Sequence, residues 1–340
     1  MRLTWLRAAI ALALLGGAVA LVLWRGPDLG LVWDAFGTVE WRWVVAAVAL
    51  NLLSVGVRTL AWRTAIHQAM PGPHPGLGAI FSAFSIGLLG NAALPGRVGE
   101  AARVAVLARG RRPLWPTLAG TVVAHRVLDL FAMVVLVLWV LSAAEMPRWA
   151  VTTLIVLVAA GVAALGIGIA SARRHHLAVP EGLGPLRRFL TMARHGLGVL
   201  RAPAPSAVAL FFQLCGWGLQ LLAVWAAMFA FRIDEPIAAA GVVLVLMNVA
   251  GIFPLWPGNV GLVQAAVALP LVAYGIQYAH GFAFGIGLQA IEASVGIGLG
   301  LLFLMREGLT LAMLERIREE EEEPEIEEVP ERAERPRVPV

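Results

Sequence analysis

The sequence predicts an all-α integral membrane protein, an inverted repeat of transmembrane helices with two re-entrant, broken helix hairpins. Three observations lead there. First, 59% of the 340 residues are hydrophobic and only 14% are charged, too few polar residues to cover a soluble domain of this size. Second, several apolar runs are long enough to cross roughly 30 Å of hydrocarbon as helices. Third, a Pro-Gly-x-Val-Gly motif occurs twice, at two breaks in apolar segments. Strand signals are weak, and no alternating ten-residue segments of the barrel type occur.

The spans follow in order. Met1–Trp24 carries two arginines and then an apolar stretch; no small-residue cleavage site follows it, so it reads as a first span rather than a signal peptide. Further spans are Trp43–Val57, Thr117–Leu141, Ala150–Ala170, Ala207–Phe231 and Phe282–Met305. Basic loops stay cytoplasmic. Arg2 and Arg7, then Arg58 and Arg63, then Arg109, Arg111 and Arg112, then the arginines between Arg173 and Arg201 fall on one side. The opposite loops hold Arg25, Arg42, Arg148 and Arg232. This alternation predicts a multi-pass protein of the cytoplasmic (inner) membrane with both termini in the cytoplasm.

Two apolar segments fit poorly as simple spans. Leu77–Leu94 and Val98–Leu107 flank Pro95-Gly96-Arg97, with arginine-rich sequence at both outer ends. Pro236–Phe253 and Val260–Ala273 flank a Pro254-to-Asn259 break, with no basic residues at either outer end. Pro and Gly interrupt helices, and interrupted backbone at membrane depth needs protein or water to satisfy it. The first pair therefore reads as a hairpin entering from the cytoplasm and the second as one entering from outside. The alternative is a full helix with a short interfacial return in each case.

The repeat joins these features. Pro95-Gly-Arg-Val-Gly99 matches Pro257-Gly-Asn-Val-Gly261 at an offset of 162. A polar pair spaced i,i+3 follows each motif, Arg126 with Asp129 and Gln289 with Glu292. The predicted halves, about 1–141 and 150–305, have opposite orientations, an arrangement by which many transporters expose one site alternately to each side.

Ionisable groups in hydrocarbon are costly and need a partner or a role. Arg97, Glu100 and Arg103 recur every third residue and share a helical face, so Glu100 can pair with either arginine and leave the other for an anion. The helix start near Val98 adds unpaired N–H groups. The competing reading is a charged interfacial helix that caps the fold. His125 and Arg126 can both reach Asp129, either as a self-neutralised packing pair or as part of a ligand site. Glu292 has no basic neighbour on its own helix and is expected to be protonated or to pair across the fold with Arg97 or Arg126. Asn91, Asn248 and Asn259 flank the breaks and can serve freed backbone groups.

Other classes are excluded. All 26 basic residues are arginine, and the high pI reflects arginine in membrane-flanking loops, which does not describe a nucleic-acid-binding surface. Cys215 is the only cysteine, which precludes an internal disulfide or a cysteine-rich metal site. No catalytic triad, nucleotide-binding loop or metal-ligand cluster is present, so no catalytic residue, cofactor or metal is expected. The loop Ala172–Ala202 is basic and amphipathic, suited to anionic headgroups. Residues 306–340 form an acidic, Pro-containing tail expected to be disordered and cytoplasmic. Gly296-x-x-x-Gly300 allows close helix packing.

Leu94-Pro-Gly-Arg-Val-Gly-Glu-Ala-Ala-Arg103, Arg126-Val-Leu-Asp129 and Pro254-Leu-Trp-Pro-Gly-Asn-Val-Gly261 resemble the flippase-like transmembrane proteins related to the membrane domain of lysylphosphatidylglycerol synthases. The resemblance runs to about Met305. It implies an inverted-repeat helical fold with re-entrant helices, movement of lipids across the bilayer, and Arg97, Glu100, Arg103, Arg126 and Asp129 as polar site residues. The chain departs from the family pattern at His125 and Gln264, where acidic residues are usual. The lysyl-transferring domain is absent, so lipid aminoacylation is not expected.

Together these readings predict a flippase for an anionic phospholipid or a polyprenyl-phosphate-linked lipid, with Arg97, Glu100, Arg103, Arg126, Asp129 and Glu292 as substrate-binding residues. Membrane lipids are the expected partners, and the chain remains open to homo-oligomers. Two rivals stand beside this: a secondary transporter of a small anion, and a non-transporting membrane partner of a cell-envelope glycosyltransferase.

Overall fold

The computed structural model describes residues 28–70, 73–93, 98–109, 115–144, 203–251 and 259–310, with scattered helical positions between 148 and 163. The predicted first span, the Ala172–Ala202 loop, Arg97 and the acidic tail beyond residue 310 lie outside the described residues. The described residues are helical with no strand. In chain order they form α1 (Leu29–Gly37), α2 (Trp41–Ala69), α3 (Leu77–Ala93), α4 (Gly99–Ala108), α5 (Trp115–Ala143), α6 (Pro203–Ala230), α7 (Ile237–Ala250), α8 (Leu262–Leu271) and α9 (Tyr278–Arg306).

Four helices, α2, α5, α6 and α9, have 28 or 29 residues and are apolar enough to cross a membrane; at 1.5 Å per residue each reaches about 42 Å. No more than 39% of the most apolar window of each is buried by protein. The outward residues, among them Leu52, Leu53, Phe131, Leu138, Phe211 and Leu302, are exposed and apolar, the surface that lipid tails cover. The second span is longer than the Trp43–Val57 reading. Arg58 sits in mid-helix, and the helix continues unbroken to Ala69.

The short helices behave differently. α3, α4, α7 and α8 have 17, 10, 14 and 10 residues; the longest reaches about 26 Å and the ten-residue helices about 15 Å, below the hydrocarbon thickness. α7 is buried at every position from Ala238 to Met247, as expected of a helix enclosed by protein on all sides. The break before α8 uses left-handed backbone at Asn259 (φ 44°) and Gly261 (φ 92°), conformations that Asn and Gly adopt with least strain. α8 ends at Pro270, a 3₁₀ turn and left-handed Gly275.

The centre is the α2–α6 pair, which packs along most of its length. The helices are antiparallel. Glu40 N donates to Ala230 O (2.9 Å) at one end, and residues 60–68 of α2 face Pro205 and Phe212 at the other. Between the ends, Ser54 Oγ donates to Gly216 O (2.8 Å) and Arg58 Nη1 to Gln220 Oε1 (3.3 Å), each pair 162 positions apart. Around this pair, α9 packs on α3, α8 on α9, α3 on α4 and α7 on α5 and α6. Gly296 and Gly300 of α9 lie against Leu88 and Leu89 of α3, so this small-residue pair serves packing within the chain.

Candidate substrate-binding site

A polar cluster links α2, α4, α5, α6 and α9 in the half-buried middle of the bundle, and Asp129 on α5 is its hub. Its Oδ1 accepts from Arg58 Nη2 (2.6 Å), Trp217 Nε1 (2.9 Å) and the Gln213 amide; its Oδ2 accepts from Arg126 Nη1 (3.3 Å). A carboxylate has roughly four acceptor sites, two on each oxygen, so Oδ1 is fully used by three donors while Oδ2 takes one. Arg126 turns its Nε (2.6 Å) and Nη2 onto Glu100 Oε1. Arg58 reaches on to Gln220, whose amide donates to Glu292 Oε1 (3.2 Å).

Arg103, one turn along α4 from Glu100, is bound differently. It is 3% exposed, and its Nε and Nη1 are buried without a hydrogen-bond partner. What holds it is aromatic: its guanidinium lies 4.0 Å from the Phe84 ring centroid and 5.8 Å from that of Trp62, a cation–π setting. Phe84 is itself edge-on to His125 (5.8 Å), and Trp62 is fixed by its Nε1–H on Thr121 Oγ1 (3.1 Å).

Glycines create the room. A Cβ on Gly87 of α3 would fall on the Arg103 side chain, and one on Gly99 would collide with Gly87 O. α3 and α4 therefore cross at van der Waals contact, and Asn91 Oδ1 accepts the Gly99 N–H across the crossing (3.0 Å). On α6, a Cβ on Gly216 would meet Arg58, whose guanidinium lies 5.3 Å from the Trp217 ring centroid. Each buried arginine thus has a glycine behind its stem and an aromatic face at its head.

Several sequence expectations are corrected here. Glu100 pairs with Arg126 on a neighbouring helix, not with Arg103, because the α3–α4 crossing turns Arg103 into the aromatic pocket. His125 does not reach Asp129; it is buried against Phe84 with Nδ1 unpartnered. Among the described residues Glu292 accepts from Gln220 and not from Arg126; Arg97, the other expected partner, lies outside the described residues. Asn91 serves the first break as expected, and Asn259 Nδ2 serves the second by donating to Ala250 O (3.1 Å), whereas Asn248 bonds within its own helix. Glu100, Arg126, Asp129, Arg103 and Glu292 gather in one region. Arg58, Gln213, Trp217 and Gln220 join them without having been singled out.

Chemically, the two carboxylates Glu100 and Asp129 are bonded by Arg58 and Arg126, while the third arginine, Arg103, is bonded to neither. The Arg126 and Glu100 side chains keep 38% and 31% exposure against 13% for Asp129. The Arg126–Glu100 pair is thus the more exposed part of the cluster and Arg103 the more buried, its Nε and Nη1 without a partner among the described residues. A helical bundle with spanning and half-length helices and a cation-rich buried site belongs to the class of polytopic membrane proteins with an internal polar site. The chain belongs to the lysylphosphatidylglycerol synthase TM region family, whose model matches residues 6–300. No curated protein and no solved structure matched the chain.

Proposed function

We propose that this protein is a lipid flippase of the cytoplasmic membrane, binding the phosphate-bearing headgroup of an anionic phospholipid or polyprenyl-phosphate-linked lipid at Arg103. The observation that carries this reading is the Arg103 guanidinium, buried among aromatic rings with two nitrogens lacking acceptors. Burying such a group in a membrane domain costs several kcal/mol unless something compensates, and an anionic oxygen is the compensation that guanidinium geometry recognises best. The family, a membrane region related to lipid-modifying synthases, makes lipid the appropriate cargo.

In this reading Arg126 and Glu100 form a pair that a headgroup can open at the site mouth, and Asp129 positions Arg58 and Arg126. Glu292 tunes the site through Gln220, and Arg97 at the α3–α4 break adds a further cation. Residues 1–305 act as one flippase-like unit with a cytoplasmic tail.

The transport geometry proposed is an inverted repeat. α2 and α6, α4 and α8, and α5 and α9 begin 162 or 163 positions apart and match in length to within one residue. Corresponding helices α2 and α6 are antiparallel and meet counterpart to counterpart at Ser54–Gly216 and Arg58–Gln220, as residues beside a two-fold axis in the membrane plane do. The short pairs α3–α4 and α7–α8 then enter from opposite faces, the arginine-flanked pair from the cytoplasm.

The test is lipid movement in liposomes reconstituted with the protein and fluorescent phosphatidylglycerol. Wild type is expected to accelerate exchange between leaflets, and an Arg97→Ala/Arg103→Ala variant to fall to within a few-fold of empty liposomes. Equal rates for wild type, variant and empty liposomes would remove the flippase assignment.

A further inference from the structure

A second polar cavity lies at one end of the α2–α6 pair, away from the Asp129 cluster. It encloses about 420 Å³, within the range of small-ligand sites. Arg63, Thr64, His67 and Gln68 from the last turns of α2 line one side, and Leu60 with Phe212 of α6 forms an apolar wall. Arg63 Nε and His67 Nε2 are buried with no hydrogen-bond partner. The His67 ring is stacked on His74 (centroids 4.1 Å, 14° between planes), which fixes its position. Thr64 donates to Leu60 O (3.0 Å) and so keeps its acceptor lone pairs. Among the described residues no carboxylate lines the cavity.

The opposite end of the same helix pair shows that the cavity is not a by-product of the helix crossing. Advancing Arg63 and His67 by 162 positions gives Trp225 and Phe229, and setting Pro205 back by 162 gives Trp43. Those three aromatic residues fill the equivalent space: Trp43 and Phe229 rings lie 5.0 Å apart, as do Trp225 and Phe229. One end is closed by stacked rings. The other is left open and lined by Arg63, Thr64, His67 and Gln68.

From this asymmetry we infer that the cavity formed by Arg63, His67 and Gln68 against Phe212 is a one-sided docking site for a phosphate ester, with a glycerophospholipid headgroup as its occupant. A guanidinium, an imidazole and an amide line one cavity where no described acidic residue competes, the set of groups that can donate to a phosphate diester. Leu60 and Phe212 supply the apolar contact that the glycerol and first acyl carbons of a lipid require and a free ion does not. The site is separate from Arg103 and is read by equilibrium binding, so it stands or falls independently of whether lipid crosses the bilayer.

The test uses the full-length protein in phosphatidylcholine nanodiscs doped with a phosphatidylglycerol bearing a photoactivatable diazirine near the headgroup, the adducts being mapped by mass spectrometry. Adducts are expected within residues 60–68 and 205–212. Arg63→Gln is expected to reduce them at least about fivefold, the loss of one charge-assisted hydrogen bond. Gln68→Glu, which brings a carboxylate to the rim without removing a cation, should reduce them comparably, and size-exclusion profiles confirm that both variants are folded. Adducts that resist excess glycerol 3-phosphate support the lipid occupant; adducts that glycerol 3-phosphate abolishes support the phosphate site but assign it to a soluble ester. Two results overturn the inference: both variants label like wild type, or a diazirine-bearing diacylglycerol without phosphate labels the same segments equally well.

Discussion

The two interrupted helix pairs solve the same backbone problem with different chemistry around it. In each, an amide side chain accepts the N–H of a glycine at the restart: Asn91 Oδ1 from Gly99 in the first (3.0 Å), Gln264 Oε1 from Gly261 in the second (2.6 Å). Beyond the caps they diverge. α4 turns Glu100 toward Arg126 of α5 and Arg103 into the rings of Phe84 and Trp62, whereas α8 turns Gln264 toward Gln289 of α9, one neutral amide on another. The scaffold is held in common, while the charge is concentrated in one half. Both restarts are capped by an amide, so capping does not account for the arginines of the first pair; the proposed anion binding would.

The sharpest way to break this comparison is to remove the hub. Asp129→Ala would leave Arg58 without its carboxylate and Trp217 and Gln213 without their shared acceptor. Stranding one member of a buried ion pair costs about 3–5 kcal/mol, so a large drop in thermal unfolding temperature in detergent is expected. An unchanged transition would show that Asp129 is not structural. Arg103→Leu should do the opposite. It removes a buried cation with two unpartnered nitrogens and keeps the stem's packing volume, so stability should hold or rise by up to about 1 kcal/mol, even as lipid movement is lost. Loss of stability comparable to that of Asp129→Ala would place Arg103 in the scaffold rather than in a binding site.

Next in size is Trp217→Phe on α6, which keeps the ring beneath Arg58 but deletes the indole N–H on Asp129. Its cost should be about 1.5–3 kcal/mol, the value of a hydrogen bond to a charged acceptor, read as a shift of the same unfolding transition. The complementary change Gln213→Ala should couple with it by double-mutant cycle, because both donors share Asp129 Oδ1. Strict additivity would mean that the two side chains do not act on one atom.

Four of the six expected spans were legible in the sequence, because hydropathy is a local signal; Met1–Trp24 and most of Ala150–Ala170 lie outside the described residues. Helix pairs predicted at Leu77–Leu94 with Val98–Leu107, and at Pro236–Phe253 with Val260–Ala273, appear as α3–α4 and α7–α8 with ends shifted by a few residues. Reading every arginine as a loop residue is what hid Arg58. Asn51, Ser54, Arg58 and Trp62 recur at helical spacing on α2, and that stripe, continued through the charge, was the available signal that the helix runs on to Ala69. Gln213, Trp217 and Gln220 form the matching stripe on α6. The pairings themselves were not legible. Arg58 meets Asp129 across 71 positions and Arg126 meets Glu100 across 26, and such choices depend on which helix faces which. Spacing within one helix pointed Glu100 toward Arg103; the close glycine crossing of α3 and α4 redirected Arg103 into the rings of Phe84 and Trp62.

The smallest expected effect tests the shared part of the comparison. If the two amide caps are equivalent, Asn91→Ala and Gln264→Ala should each cost about 0.6–1 kcal/mol, the range for a single hydrogen bond in a membrane protein. Their consequences for function should nevertheless differ. Asn91 anchors Gly99, whose crossing with Gly87 sets the position of Arg103, so its loss should slow lipid movement beyond what the stability change accounts for. Gln264 anchors a helix with no charge to position, so its loss should leave the rate within about twofold of wild type once the variant is folded. Equal functional losses from the two caps would mean that both breaks move together during transport, and the division between a recognising half and a supporting half would have to be abandoned.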